Sequence, residues 1–128
     1  MNILIIEPGK YPRKAVVSNT LSSLQEIVGG YIQAVYPYDE PVAIICDEEA
    51  KLKGSELNRV LRDEDGNIYD VVAGTFLIVG LGEEDFTSLT PEHMKQFKEK
   101  FVHTLPLLMA VYQLFKLRCL LLAYCLSA

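Results

Sequence analysis

Two apolar rhythms alternate along the first hundred residues: short unbroken runs that predict strands, and stretches at helical spacing. Asn2–Glu7 (NILIIE) is an apolar run that stops at Pro8-Gly9, so it predicts a strand entering a turn. Lys14–Val17 is suited to be its hairpin partner, and Pro12 keeps the intervening segment out of a helix. In SNTLSSLQEIVGG, Leu21, Leu24, Ile27 and Val28 recur at helical spacing. Ser18 or Asn19 is the expected N-cap, and Gly29-Gly30 the stop, because glycine takes the left-handed conformation at little cost. Tyr31–Tyr36 and Val42–Cys46 predict two further strands, and DEEAKLKG turns the chain. Ser55–Arg62 (SELNRVLR) reads equally as a short helix or an irregular segment. Asp65-Gly66 suggests a type I′ hairpin turn leading into a strand over Asn67–Val72. Thr75–Val79 (TFLIV), bracketed by Gly74 and Gly80, has the composition of a fully buried strand, and Gly82–Asp85 is an acidic loop.

The second helix is marked at its start by four signals. Thr90 is placed to cap it, Pro91 occupies the first helical position, Glu92 faces the positive end of the dipole, and Leu89 can staple to Met94. Met94, Phe97 and Phe101 form its inward stripe, with Lys95, Lys98 and Lys100 outside. Strands interspersed with only two helices predict an α+β domain over residues 1–101, with a small, mainly antiparallel sheet covered by helices.

Charge sharpens the boundary. All 17 acidic residues and ten of the 12 basic ones lie within residues 1–101, which leaves that part at −7. Only Lys116 and Arg118 follow, with no acid. An acidic body argues against nucleic acid as the main partner, because phosphate binding needs a basic face. Cys46, Cys119 and Cys125 are odd in number and lack CxxC spacing, and the N-terminus has no signal peptide pattern, so the expected setting is the reducing cytoplasm.

Several familiar chemistries fail at named positions. In DEDGNIYD a calcium loop centred on Gly66 would begin at Leu61 and end at Val72, neither of which supplies the oxygen ligand required. GLGEED lacks the third glycine of a dinucleotide loop and places acids where a phosphate would sit. Gly9-Lys10 lacks the upstream glycine and following hydroxyl of a P-loop. His93 and His103 have no cysteine at metal-ligand spacing. The sequence therefore implies no cofactor, no metal and no catalytic constellation.

The stretches NILIIEPGKYPRKAVV, LSSLQEIVGGYIQAVYP, AIICDEEAKLKGSELNRVLRDEDGNIYDVVAGTFLIVG and EEDFTSLTPEHMKQF resemble the family catalogued as domain of unknown function 3846, found in bacteria, phages and mobile elements. The resemblance spans about residues 1–101. Its marks are VGGYIQ, CDEEAKLKG, the Leu57-Asn58-Arg59 step, and AGTFLIVG followed by FTSLT. Ser55 and Glu56 stand where members often carry Leu-Pro. The resemblance implies no activity or catalytic residue, only a genomic setting in which small accessory proteins modulate host functions. The polar residues within or beside those marks, Tyr31, Asp47, Glu48, Asn58, Arg59 and Asp70, are the candidate ligand-binding set.

Three functions follow as expectations. The first is a non-catalytic binding protein that sequesters a host protein or a small polar ligand, in counter-defence. The second is a small enzyme acting on a nucleotide-like metabolite through carboxylates such as Asp47, Glu48 and Asp70, which requires folding to bring them into one pocket. The third is a tail-anchored membrane factor. Residues 102–128 lie outside the resemblance, and Leu105–Leu126 is long enough to span a bilayer. Lys116 and Arg118 near its middle cost about 2.5–3.5 kcal/mol each, and a dozen apolar residues return about 0.3–0.6 kcal/mol each, so the two nearly cancel. The tail thus reads as a helix packed on the body or on a second copy, as an anchor, or as a frame-shifted end. If it is native, self-association through it is expected, because an exposed apolar helix must be buried.

Overall fold

The computed structural model describes residues 1–62 and 65–103. The expectations for residues 104–128 lie outside them.

Among the described residues eight strands and two helices follow in the order β1 (Asn2–Ile6), β2 (Arg13–Val16), α1 (Leu21–Val28), β3 (Ile32–Val35), β4 (Val42–Asp47), β5 (Leu57–Arg62), β6 (Ile68–Ala73), β7 (Phe76–Leu81), β8 (Phe86–Thr87) and α2 (Pro91–Lys100). The main sheet has the order β2-β1-β7-β4-β3, with the short β8 also paired to β7, and every pairing is antiparallel. β5 and β6 form a separate antiparallel hairpin. The architecture is α+β, as the sequence predicts.

The unbroken apolar runs of β1, β4 and β7 have a simple cause: both faces of these central strands are covered. On one face Leu4, Ile6, Val42, Ile44, Phe76 and Ile78 pack against Met94 and Phe97 of α2, against Phe101, and against Leu61 and Val72 of the β5–β6 hairpin. On the other, Ile3, Ile5, Ala43, Ile45, Leu77 and Val79 pack against Leu24 and Val28 of α1. Burying both faces removes apolar area from water at about 25 cal/mol per Å² and leaves no polar side for an alternating pattern. The two helices therefore sit on opposite faces of the sheet.

The cap of α2 forms as predicted, with Thr90 Oγ1 accepting from the backbone N–H of His93, and Leu89 and Met94 both buried in the same cluster. Gly29 ends α1 at φ 83°. Elsewhere the structure corrects the expectation. The N-cap of α1 is Thr20, whose Oγ1 accepts from Ser23 N, while Asn19 Nδ2 donates to Asp85 and to the carbonyl of Phe86. Leu21 is exposed rather than part of the buried stripe. Ser55–Arg62 is neither helix nor irregular, since Leu57–Arg62 is a strand. The Arg62–Ile68 pairing leaves five residues between the strands, more than a two-residue turn holds, and Gly66 has φ 82°.

Candidate functional site

The six candidate residues separate into two groups. Asp47, Glu48 and Asp70 line one cleft of about 200 Å³, together with Gln33, Cys46 and Lys51. It lies where the end of β4 and the following turn meet β6, with β3 forming one wall. Tyr31 is beside this region but points outward, 70% exposed, and its carbonyl accepts from Glu48 N. Asn58 and Arg59 lie elsewhere in the interior, 1% and 2% exposed.

The cleft is built on the CDEEAKLKG turn. Asp47 Oδ1 accepts from Glu49 N at 2.9 Å, an Asx-type turn, and its Oδ2 accepts from Lys53 Nζ at 2.8 Å. The Lys53 hydrogen bond, reinforced by that from Glu49, outweighs burial and holds the Asp47 carboxyl below its ordinary range. The same contact pushes Lys53 up. Across the cleft Lys51 Nζ meets Asp70 Oδ1 at 2.7 Å, with both side chains about half exposed. Burial, then the nearby charges of Asp70 and Asp47, push the Cys46 thiol up, away from the thiolate form that acts as a nucleophile. Chemically the cleft offers the Lys51–Asp70 pair, the carboxylates of Asp47 and Glu48, the Gln33 amide and the Cys46 thiol, with Lys53 holding Asp47 from outside the lining. Lys51 of the cleft and Lys53 beside it are not among the six candidates, although they stand two and four residues after Glu49 in the same turn. Among the described residues no group of three or more His, Cys, Asp or Glu side chains is arranged to hold a metal ion.

Asn58 and Arg59 are used internally. Asn58 Nδ2 donates to the carbonyls of Ile6 (2.9 Å) and Gly74 (2.8 Å), tying β5 to the ends of β1 and β6. Arg59 donates through Nε to Phe101 O, through its two terminal nitrogens to Asn58 Oδ1 and Lys10 O, and also to Asn58 O. It thus joins the hairpin, the turn after β1 and the end of α2. Desolvation pulls its pKa down. With four of its five donors engaged by carbonyl and amide oxygens, the guanidinium is solvated by the protein rather than by a ligand.

The same locking logic explains the other marks. A Cβ on Gly30 would stand 2.7 Å from both Asp47 Oδ2 and Lys53 Nζ, so VGGYIQ and CDEEAKLKG interlock. A Cβ on Gly80 would stand 2.5 Å from Ser88 O, so AGTFLIVG and FTSLT interlock. Asn58 joins LNR to Gly74 of AGTFLIVG.

Among the described residues no helix is long and apolar enough to cross a membrane. Neither the curated proteins nor the solved structures include a match to the chain. A family model described as Domain of unknown function (DUF3846) matches residues 1–102, and with four-fifths of the chain covered and its marks accounted for as mutual locks of one fold, the chain belongs to that family.

Proposed function

We propose that this chain is a non-catalytic binding and accessory protein, acting in the cytoplasm of a bacterial host in a phage or mobile-element setting, and that the cleft takes a small polar ligand carrying both an amino and an anionic group. One observation supports the reading: the exposed Lys51–Asp70 pair is an internal ion pair at the mouth of a cleft, at a position where a ligand of complementary charges can exchange with it. Half-exposed pairs contribute little to stability, about 0–1 kcal/mol, so exchanging this one costs the fold little. The neighbouring Asp47 is held ionised and Cys46 is held as the thiol, which suits charge recognition better than proton transfer.

Native mass spectrometry of protein purified from its host tests this by reporting retained ligand. Lys51→Ala and Asp70→Ala are expected to abolish retention with the fold intact. Protein that arrives empty, and that no panel of amino acids or nucleotides stabilises against heat, would remove the reading.

The convergence of Asp47, Glu48 and Asp70 in one cleft supports the second reading, an enzyme acting on a nucleotide-like metabolite. Turnover of a retained ligand, lost in Glu48→Gln with binding preserved, would favour it. Self-association through residues 102–128 belongs to the same proposal, and light scattering on the full chain measures it.

A further inference from the structure

The path of the main sheet ends at two strands, β2 and β3, that pair on one side only among the described residues, and they differ in charge. β3, at one end, reads Ile-Gln-Ala-Val and carries none. β2, at the other, reads Arg-Lys-Ala-Val and lies in a stretch from Pro8 to Gln25 that holds Lys10, Arg13 and Lys14 and no acid. In a chain of net charge −5 this is a local reversal. A single carboxylate, Glu7, serves both Lys10 and Arg13, and their hydrogen bonds hold it below its ordinary range. Among the described residues Lys14 has no ion pair.

The backbone of that edge is oriented by its pairing with β1. Met1 and Val17 exchange both backbone bonds, at 2.9 and 3.0 Å. Antiparallel pairs alternate, so Ala15 and Arg13 also turn their groups toward β1, and the N–H and C=O of Lys14 and Val16 turn outward. The Lys14 and Val16 side chains lie on the α2 face of the sheet, where they line a groove of about 380 Å³ with Ala15, Leu89, Pro91 and Met94. Val16 is 79% exposed, and Tyr11, just before the strand, 76%.

We propose that β2 is a docking edge for an extended acidic segment of another protein, which adds as a strand. Residues opposite each other in a ladder share a face. The segment therefore needs an apolar side chain opposite Val16, entering the groove beside Leu89 and Met94, and two places along an acidic one opposite Lys14. Unpaired N–H and C=O groups complement a peptide backbone, and cations complement its acids. The chain's own residues 102–128 contain no acid and do not meet this requirement. The edge is also distinct from the cleft, which lies at the β3 end of the sheet.

The test titrates the full chain with a labelled, acetylated peptide that repeats Leu-Thr-Glu-Thr, read by fluorescence anisotropy. Controls are the same peptide with Lys for Glu, and oligothymidylate. The Glu peptide is expected to bind saturably and the Lys peptide at least about tenfold more weakly, with Lys14→Glu reversing that preference. Val16→Pro, which removes an outward N–H and no bond to β1, is expected to abolish binding. Circular dichroism melts establish that both variants are folded. No saturable binding of the Glu peptide overturns the proposal. So does equal binding of both peptides, tighter binding of oligothymidylate, or a dimer that Lys14→Glu dissociates.

Discussion

Gly30 lies directly against Asp47: a Cβ on the glycine would stand 2.7 Å from Oδ2 of the aspartate, whose other oxygen is already bound by Glu49 N. The contact joins the end of α1 to the turn after β4. It also explains a glycine at position 30, since Gly29 alone supplies the positive φ that ends the helix.

Gly30→Ala should destabilise the protein by about 1–3 kcal/mol, because Asp47 is buried and tethered and cannot swing aside without losing a hydrogen bond. In an Asp47→Ala background the same substitution should cost much less, since the carboxylate is gone and Lys53, no longer held by it, can swing aside. Urea unfolding of the two single variants and the double variant measures the coupling. Additive costs would show that the two residues do not constrain each other.

Gly80→Ala should cost about 3 kcal/mol, at the upper end for overpacking, because the obstructing atom is the backbone oxygen of Ser88 rather than a side-chain tip. The strain falls where β7 passes the segment joining β8 to α2. Thermal unfolding is the measurement, and a melting temperature equal to that of the parent would contradict the close approach.

Arg59→Met should lower stability by about 3 kcal/mol, because the Phe101 carbonyl and Asn58 Oδ1 lose a donor in the interior and the part-buried Lys10 carbonyl loses one at its edge. Arg59→Lys should not restore it, since one ammonium cannot span acceptors on three segments. Asn58→Ala should cost about 2 kcal/mol through the lost bonds to Ile6 and Gly74. The discriminating readout is ligand binding: if either residue contacted ligand, retention would fall in variants whose unfolding curves match the parent.

Asp47 and Glu7 should both contribute to acid sensitivity. Each carboxyl is held below its ordinary value, 3.8 for Asp47 and 4.5 for Glu7, so each binds a proton more weakly in the folded chain than in the unfolded one. Their stabilisation is therefore complete above those ordinary values and is lost as pH falls through the lower folded values. Urea unfolding from about pH 6 to pH 2 should show stability falling with acid, and a shallower fall in Asp47→Asn. An identical slope in that variant would remove Asp47 from the account.

Strands β1, β4 and β7 and helix α2 were legible because their information is local. An unbroken apolar run has no alternative to burial, and Thr90, Pro91 and Glu92 act within one turn of the helix they start. The interior roles of Asn58 and Arg59 were not legible. Their acceptors lie as far as 52 residues away, on Ile6, and no local pattern distinguishes such an arginine from one that meets a ligand. β5 was concealed for another reason: its conformation is set by the ladder with the next strand, β6, rather than by the propensity of SELNRVLR.

The candidate site divides in the same way. The residue types of the cleft were visible in the turn after β4, but their convergence with Asp70 was not, because it depends on β6 folding back toward β4. Periodicity and capping chemistry determined the α+β class from sequence, since each acts over a few residues. Only the tertiary structure decided which polar residues lock the fold and which face solvent. A buried donor is satisfied by whichever carbonyl the packing brings within about 3 Å, and that choice is made by the whole chain.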